Sequence, residues 1–301
     1  MLPRLVVILA ALVCALCAPA ARAADAAWTV QPGGARPYVY LEGAPGTVLE
    51  DTLSVTNPGA KPLTVRLRPA DAYNTVTGAL AVRGAHKSKG AGTWIMLASE
   101  RVTVPPRTRA EIPFSVTVPS GALPGDHPGA VMAAAGGREA GVRIHLRVSG
   151  PTLAAVTVEQ VKVSGGAIHY TLVNRGNTAL TPRLTIRADG LFGEVLHRAP
   201  RTLPVELLPA QRITLTEKWP EHPSLDSVTV HIEATAPGDA RAKGSATATF
   251  VPWGTVAGAA AGLLAALGGT VWFVRRRTRR QPDRTQHEQA DSERELTGAA
   301  T

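Results

Sequence analysis

Apolar and polar residues alternate in short stretches along most of this chain, between about Trp28 and Phe250. Glycine, proline, asparagine or aspartate ends each stretch after a few residues. Alternation with a period of two places successive side chains on opposite faces of a β-strand, whereas a helix needs apolar residues three and four apart. Between these bounds no amphipathic helical pattern lasts longer than two turns. The pattern therefore predicts an all-β protein.

The predicted strands fall into two sets of about seven, the number typical of an immunoglobulin-like β-sandwich. The first set comprises Pro37–Leu41, Val48–Thr56, Leu63–Pro69, Trp94–Val104, Arg109–Val118, Gly129–Ala134 and Val142–Val148. The second set comprises Leu153–Val163, Ala167–Val173, Thr181–Ala188, Glu194–His197, Gln211–Trp219, Ser227–Ala234 and Ser245–Val251. We therefore predict two tandem immunoglobulin-like β-sandwich domains, residues 25–150 and 151–251, joined near Pro151.

One segment occurs twice, once in each set of strands. "NPGAKPLTVRL" at 57–67 and "NRGNTALTPRL" at 174–184 agree at six of eleven positions. In both, the asparagine can bond the backbone two residues on, and Gly59 or Gly176 can adopt a positive φ before the next strand. The repeat predicts one piece of scaffold used twice rather than a catalytic motif. Pro182 in the second copy predicts an edge or bulged strand there.

The first 24 residues have the features of an export signal. Arg4 precedes the apolar run Leu5–Cys17, and the small residues Ala21 and Ala23 form an A-x-A cleavage site. The chain's two cysteines, Cys14 and Cys17, both lie in this segment. We therefore expect a cleaved signal peptide and a mature protein without disulfides or thiolate metal ligands.

A second apolar run lies near the other end, where Thr255–Val274 contains no charged residue. Its length suits one transmembrane helix, which we place at residues 252–274. A basic cluster follows, which predicts that the tail 275–301 is cytoplasmic and both sandwiches are extracellular; the cluster comprises Arg275, Arg276, Arg277, Arg279 and Arg280. Three glycines, Gly254, Gly258 and Gly262, recur at a four-residue spacing along this helix. The spacing predicts self-association through the helix, and simple helix flexibility is the alternative explanation.

The formal net charge is +9, and outside the signal and the tail 23 basic and 18 acidic residues remain. This excess of about +5 suits an anionic wall polymer or a membrane surface as partner, with a merely solvated surface as the alternative. It does not indicate nucleic acid, because basic runs occur only in the tail and aromatic residues are scarce. The eight histidines show no metal-ligand spacing, and no catalytic motif with a nucleophile or phosphate loop occurs. We therefore predict a protein without cofactor, metal or enzymatic activity. A wall hydrolase with an unrecognised site is the alternative.

Two segments of the first set carry polar and aromatic residues suited to binding a sugar or a peptide. They are "PADAYNTVTGA" at 69–79 and "LPGDHPGAV" at 123–131. The alternative is structural, since such residues also stabilise turns by bonding their own backbone. The candidate ligand-binding residues are Asp71, Tyr73, Asn74, Trp94, Asp126 and His127.

An ordered set of motifs within residues 28–150 resembles the peptidoglycan-binding domain of WxL-interacting proteins. The motifs are "LEGAPGTVLEDTLSVTNPGAKPLTVRLRPADAYNTVTGAL", "WIMLASERVTVPPRTRAEIPFSVTVPSGALPGDHPGAVMA" and "GVRIHLRVSG". The resemblance implies a surface protein, with a signal, two immunoglobulin-like domains and a transmembrane helix, that attaches to the cell wall. It supplies no binding residues. A scaffold that pairs a sheet edge with another surface protein is the second functional hypothesis.

Overall fold

The computed structural model describes residues 27–278, and these residues are predominantly β, as predicted. The predicted signal peptide and the tail beyond Thr278, including Arg279 and Arg280, lie outside the described residues. The elements are β1 (Thr29–Pro32), β2 (Val39–Gly43), β3 (Val48–Asn57), β4 (Leu63–Asn74), β5 (Leu80–Val82), β6 (Ile95–Leu97), β7 (Arg101–Val104), β8 (Thr108–Thr117), β9 (Gly125–Ala135), β10 (Arg138–Val148), β11 (Val156–Ser164), β12 (Ala167–Asn174), β13 (Arg183–Gly190), β14 (Gly193–Thr202), β15 (Arg212–Lys218), β16 (Asp226–Ala236), β17 (Ala240–Phe250) and helix α1 (Trp253–Thr278).

The N-terminal sheet pair is built from β1 to β10. One sheet has the order β1-β3-β8-β6, and the other has the order β2-β10-β9-β4-β5 with β7 also paired to β4. Alternate side chains of both sheets, among them Leu53, Phe114, Leu67 and Ile144, meet in one apolar core. β2 runs parallel to β10, whereas the other strand pairs described in these sheets are antiparallel.

The C-terminal sheet pair is built from β11 to β17. Its sheets have the orders β11-β12-β15 and β14-β13-β16-β17. Tyr170, Leu172, Ile186 and Trp219 are each at most 1 % exposed, so their packing fills the space between the sheets. Burial also raises the pKa of the Tyr170 hydroxyl, with the neighbouring Glu217 carboxylate adding to the effect.

The repeated segment forms the same structure in both copies, which confirms that it is scaffold. Asn57 accepts the Gly59 amide at 3.0 Å and donates to the carbonyls of Lys61 at 2.8 Å and Val104 at 3.0 Å. Asn174 accepts the Gly176 amide at 2.9 Å and donates to Thr178 and Leu207 carbonyls at 2.7 and 3.0 Å. Each buried asparagine thus closes its own turn and ties that turn to a distant strand or loop.

One detail predicted from the repeat is wrong, and a second is correct only in part. Neither Gly59 nor Gly176 has a positive φ. Gly176 is instead required by close approach, since a Cβ there would lie 2.1 Å from the Leu153 carbonyl oxygen. Pro182 precedes β13, which is not an edge strand because it pairs with both β14 and β16. The bulged alternative agrees with the register shift between Leu184 and Ile186 in the pairing of β13 with β14. The proline needs no ladder hydrogen bond there, because its ring lies before the strand begins.

Among the described residues, 27–221 and 229–248 form one compact unit that contains nearly all of both sheet pairs. A second unit contains residues 222–228 and 249–278, and in it the rings of His222 and Phe250 stack at 4.7 Å. Its helix α1 is the one described helix long and apolar enough to cross a membrane, by length and composition. The helix continues past the predicted end at residue 274, so Arg275, Arg276 and Arg277 form its last turn.

Candidate functional site

A cleft of about 390 Å³ lies where loops of the N-terminal sheet pair face two turns of the C-terminal pair. Four predicted site residues line it: Asp71, Tyr73, Asp126 and His127. The opposite side is formed by Gly176, Asn177 and residues 209–211. The structure therefore brings together two sequence segments that are about fifty residues apart. We refer to this space as the cleft.

Two rings, those of Tyr73 and His127, border the cleft, and each packs against a neighbouring side chain. Tyr73, near the end of β4, has the guanidinium of Arg83 over its ring, 4.3 Å from the centroid. The ring of Trp94 lies 4.8 Å from that of His127, at an angle of 44°. A nitrogen of the His127 ring is 2.8 Å from the Leu123 carbonyl oxygen, which fixes the orientation of the imidazole. These pairs present ring surfaces of limited mobility, of the kind that packs against the apolar faces of a ligand.

The carboxylate of Asp71 organises the loop beside the cleft. It accepts the backbone amides of Lys89 at 2.7 Å, Gly90 at 3.0 Å and Gly92 at 2.7 Å. A carboxylate that accepts several amides is already satisfied, so its oxygens have little capacity left for a ligand. The structural alternative therefore describes Asp71 better than the predicted binding role does.

The loop that Asp71 holds carries a concentration of positive charge. We call residues 83–90, "RGAHKSKG", the basic loop. Arg83, Lys87 and Lys89 are all exposed, and no ion pair involving them occurs in the described part of the chain. Sequence reasoning missed this loop because its basic residues are interrupted by small and polar ones. The signal that could have revealed it is three full positive charges within eight residues.

Asp126 lies on the wall of the cleft but is also engaged. It forms a bidentate pair with Arg147 of β10, at 2.7 and 3.1 Å. It also accepts the Ala179 amide at 2.7 Å, and its own amide donates to the Asn177 carbonyl at 2.7 Å. Asp126 therefore links the N-terminal sheet pair to the turn that follows β12.

Asn74 and Trp94 do not line the cleft, contrary to the idea of one six-residue cluster. Trp94 packs against the His127 ring, and it is the His127 ring that lines the cleft. Asn74 is 5 % exposed and points into the junction between the sheet pairs, where it donates to the Glu206 carbonyl at 2.8 Å. It also accepts the Leu208 amide at 2.8 Å. This role depends on a loop some 130 residues away, which no local pattern could indicate.

A charged cavity of about 220 Å³ extends this junction. Arg143 of β10 forms a bidentate pair with Glu206, with Nη2 2.6 Å from Oε1. The Nε atom of Arg143 is buried and has no hydrogen-bond partner in the described part of the molecule. His145, two residues along the same face, also lines the cavity, and its ring lies 5.4 Å from that of Tyr38.

The stability of the fold should depend on the protonation of His145. Burial, and then the charge of Arg143, lower the pKa of His145, while Glu206 and Asp126 oppose this shift. The unfolded chain then binds this proton more readily, so stability is lost as the pH falls below about 6.5. We expect His145→Gln to reduce the loss between pH 7.5 and 5.5 in urea unfolding. Equal losses in variant and parent would contradict this expectation, and the slope above pH 7.5 serves as the control.

The described residues, 27–278, contain no group of three or more histidine, aspartate and glutamate side chains arranged to hold a metal ion.

The lining of the cleft consists of ring surfaces, backbone polar groups and a rim that meets the basic loop. Such a set can bind a polar or anionic polymer by packing and by charge.

Comparisons with known proteins assign no family to this chain. No protein-family model matches the chain, and no curated protein matches it. Among solved structures, a chaperone–tip adhesin complex of CFA/I fimbriae biogenesis has a TM-score of 0.41 and 8 % identity, covering 75 % of this chain and 100 % of that chain. The CupB2 chaperone of Pseudomonas aeruginosa has a TM-score of 0.34 and 12 % identity over 71 % of this chain and 98 % of its own. At these scores the similarity assigns neither a partner nor an activity.

Proposed function

We propose that this protein is a membrane-anchored cell-surface protein whose first domain binds peptidoglycan or an associated anionic wall polymer. The proposal divides the β region into two tandem immunoglobulin-like domains, residues 25–150 and 151–251. The observation that carries it is the cleft, where Tyr73 and His127 border a space that also meets the basic loop. The resemblance of residues 28–150 to a peptidoglycan-binding domain supports the same ligand class.

The proposal assigns no chemical step to the cleft. Both of its carboxylates are committed, since Asp71 accepts three amides and Asp126 pairs with Arg147 and the Ala179 amide. General acid or base catalysis needs a carboxyl group within reach of the substrate and able to exchange a proton. Binding through rings and basic side chains requires neither.

In the proposed topology, α1 crosses the membrane once. The basic residues that end it stay in the cytoplasm, and both sandwiches lie outside, after removal of the signal peptide. The guanidinium of Arg276 lies 4.9 Å from the Trp272 ring and that of Arg277 lies 5.2 Å from the Phe273 ring. Such pairs suit the level of the lipid headgroups. The glycines at 254, 258 and 262 leave one face open for a second helix.

Reversing charge in the basic loop should weaken wall binding. We expect Lys87→Glu with Lys89→Glu to reduce co-sedimentation with isolated sacculi about tenfold, because two attractive charges become repulsive at the rim of the cleft. The binding of the parent protein should also fall as salt is raised. The measurement is the fraction of protein that sediments over a series of sacculus concentrations.

The matched control is Arg241→Glu with Lys243→Glu. These residues are also exposed, and the net charge changes by the same amount, but they lie on β17, away from the cleft. Equal weakening by both double variants would show that only net charge matters, and would remove the cleft from the proposal. A parent protein that fails to sediment even at low salt would refute wall binding itself.

A second candidate is an adaptor that binds another surface protein by strand pairing. β17 is an eleven-residue strand at the end of its sheet order in the described structure. Edge strands can accept a strand from another chain. Cross-linking in cells that captures one discrete protein and no wall fragments would favour this function over the first.

A further inference from the structure

The tip of the β13–β14 hairpin exposes two large apolar side chains in succession. Leu191 and Phe192 connect Gly190 and Gly193, which are paired across the hairpin. Leu191 is 74 % exposed and Phe192 is 93 % exposed. Two-residue hairpin loops ordinarily contain asparagine, aspartate or glycine, because these residues adopt the required backbone angles and remain solvated. Turn geometry therefore does not account for the leucine and the phenylalanine.

The strand register places this tip at a particular end of its sheet. Asp189, two residues before Leu191, lies opposite Thr229 of β16. The Thr229 hydroxyl is 3.1 Å from the hydroxyl of Thr247 on β17. β17 returns antiparallel to β16 after the turn at 237–239, so β13 and β17 run in the same direction. The tip therefore extends from the end of the sheet at which β17 finishes.

The chain that leaves this end of β17 soon becomes α1. Six residues lead from Thr247 to Trp253, where α1 begins, and six residues span at most about 20 Å when fully extended. The apolar tip itself extends two residues, or about 7 Å, past Asp189. If α1 crosses a membrane, as the proposed function holds, this covalent limit keeps Thr247 within about 20 Å of the start of the membrane helix, so the tip is within reach of the lipid surface.

The charges around the tip are balanced. Glu194 lies 3.7 Å from His197 and 3.9 Å from Arg187, and Asp189 lies 3.8 Å from His231. A surface that attracts anionic headgroups would instead show an excess of lysine and arginine. The tip therefore presents apolar area with little net charge, which suits the boundary between headgroups and acyl chains.

We propose that the hairpin tip Leu191–Phe192 inserts into the interfacial layer of the membrane that holds α1, forming a second lipid contact of the same molecule. The partner is the apolar layer just beneath the lipid headgroups, and the contact depends little on the fraction of anionic lipid. This inference rests on α1 spanning the membrane, which the proposed function includes, but not on wall binding.

A fluorescence experiment on the full chain tests this insertion. After removal of the predicted signal the exported chain has no cysteine, so Leu191→Cys carries the only thiol for an NBD label. The protein is reconstituted into phosphatidylcholine vesicles containing a doxyl-labelled lipid quencher. The matched control is Pro237→Cys, which is also exposed and lies in the turn at the opposite end of the same sheet.

We expect lipid quenching at residue 191 to be at least twofold greater than at residue 237, and to be unchanged when 30 % phosphatidylglycerol is included. Phe192→Ser in the Leu191→Cys protein should reduce the quenching to the control level. This variant should fold, because the Phe192 ring is almost fully exposed.

Three outcomes would overturn the inference. Equal lipid quenching at 191 and 237 would show that the tip stays in water. Protection of residue 191 from iodide in detergent as well as in vesicles, without lipid quenching, would indicate a protein partner instead. Failure of the protein to float with the vesicles would contradict the membrane anchor itself, and is thereby distinguished from a tip that does not insert.

Discussion

Replacement of Asn174 by alanine is expected to lower the free energy of unfolding by about 3 kcal/mol, because it removes the hydrogen bonds of this buried side chain to three backbone groups around the turn. These groups are the carbonyls of Thr178 and Leu207 and the amide of Gly176. Asn57→Ala should cost a similar amount, since Asn57 makes the corresponding bonds in the first copy. Urea unfolding followed by tryptophan fluorescence measures both losses.

The matched control for these substitutions is Thr247→Ala, on an exposed position of β17, which should change stability by less than about 0.5 kcal/mol. A loss below about 1 kcal/mol at Asn174 would contradict the structural role of the repeat. A large loss in one copy and none in the other would show that the two turns are not equivalent scaffold.

The second large effect is expected from Gly92→Ala, which should cost about 3 kcal/mol and disorder the basic loop. A Cβ at Gly92 would lie 2.4 Å from the carbonyl carbon of Ala70 and 2.5 Å from the amide nitrogen of Asp71. Both are backbone atoms of β4, so the loop must move. That movement breaks the hydrogen bond from the Gly92 amide to Asp71, which is one of the three bonds by which Asp71 holds the loop.

Gly84→Ala is the matched control for this change, because its Cβ would meet only the end of the Lys87 side chain at 3.8 Å. Unfolding measurements and limited proteolysis within residues 83–92 should distinguish the two variants. A Gly92→Ala protein with parental stability and an uncut loop would contradict the tight contact. Under the proposed function, Gly92→Ala should also weaken sacculus binding, whereas Gly84→Ala should not.

The strands were predictable because their signal is local. Alternation within five to ten residues locates β3, β8 and β10 without reference to the rest of the chain. β1 and β5 were missed because strands of three or four residues contain too few alternations to be recognised. The parallel pairing of β2 with β10 was not predicted either, since about a hundred residues separate them.

The candidate site was predicted only in part, for the same reason. The two segments that meet at the cleft were identified by their residue types, but the partners of those residues were not. Asp71 is committed to a loop 18–21 residues away, and Asn74 to the chain around Glu206 and Leu208. Residue type indicates what a side chain can bond, whereas the fold decides whether that capacity is already used.

The junction between the sheet pairs has a mechanical consequence. If the protein is fixed to the wall by its first domain and to the membrane by α1, as the proposed function holds, residues 149–155 carry any tension between these two attachments. The bonds of Asn74, Asn177 and Asp126 lie in parallel with that covalent segment. They would share the load until they break, after which the covalent segment alone would carry it. The rate of that rupture, rather than equilibrium stability, would set how long the two halves stay together under pulling.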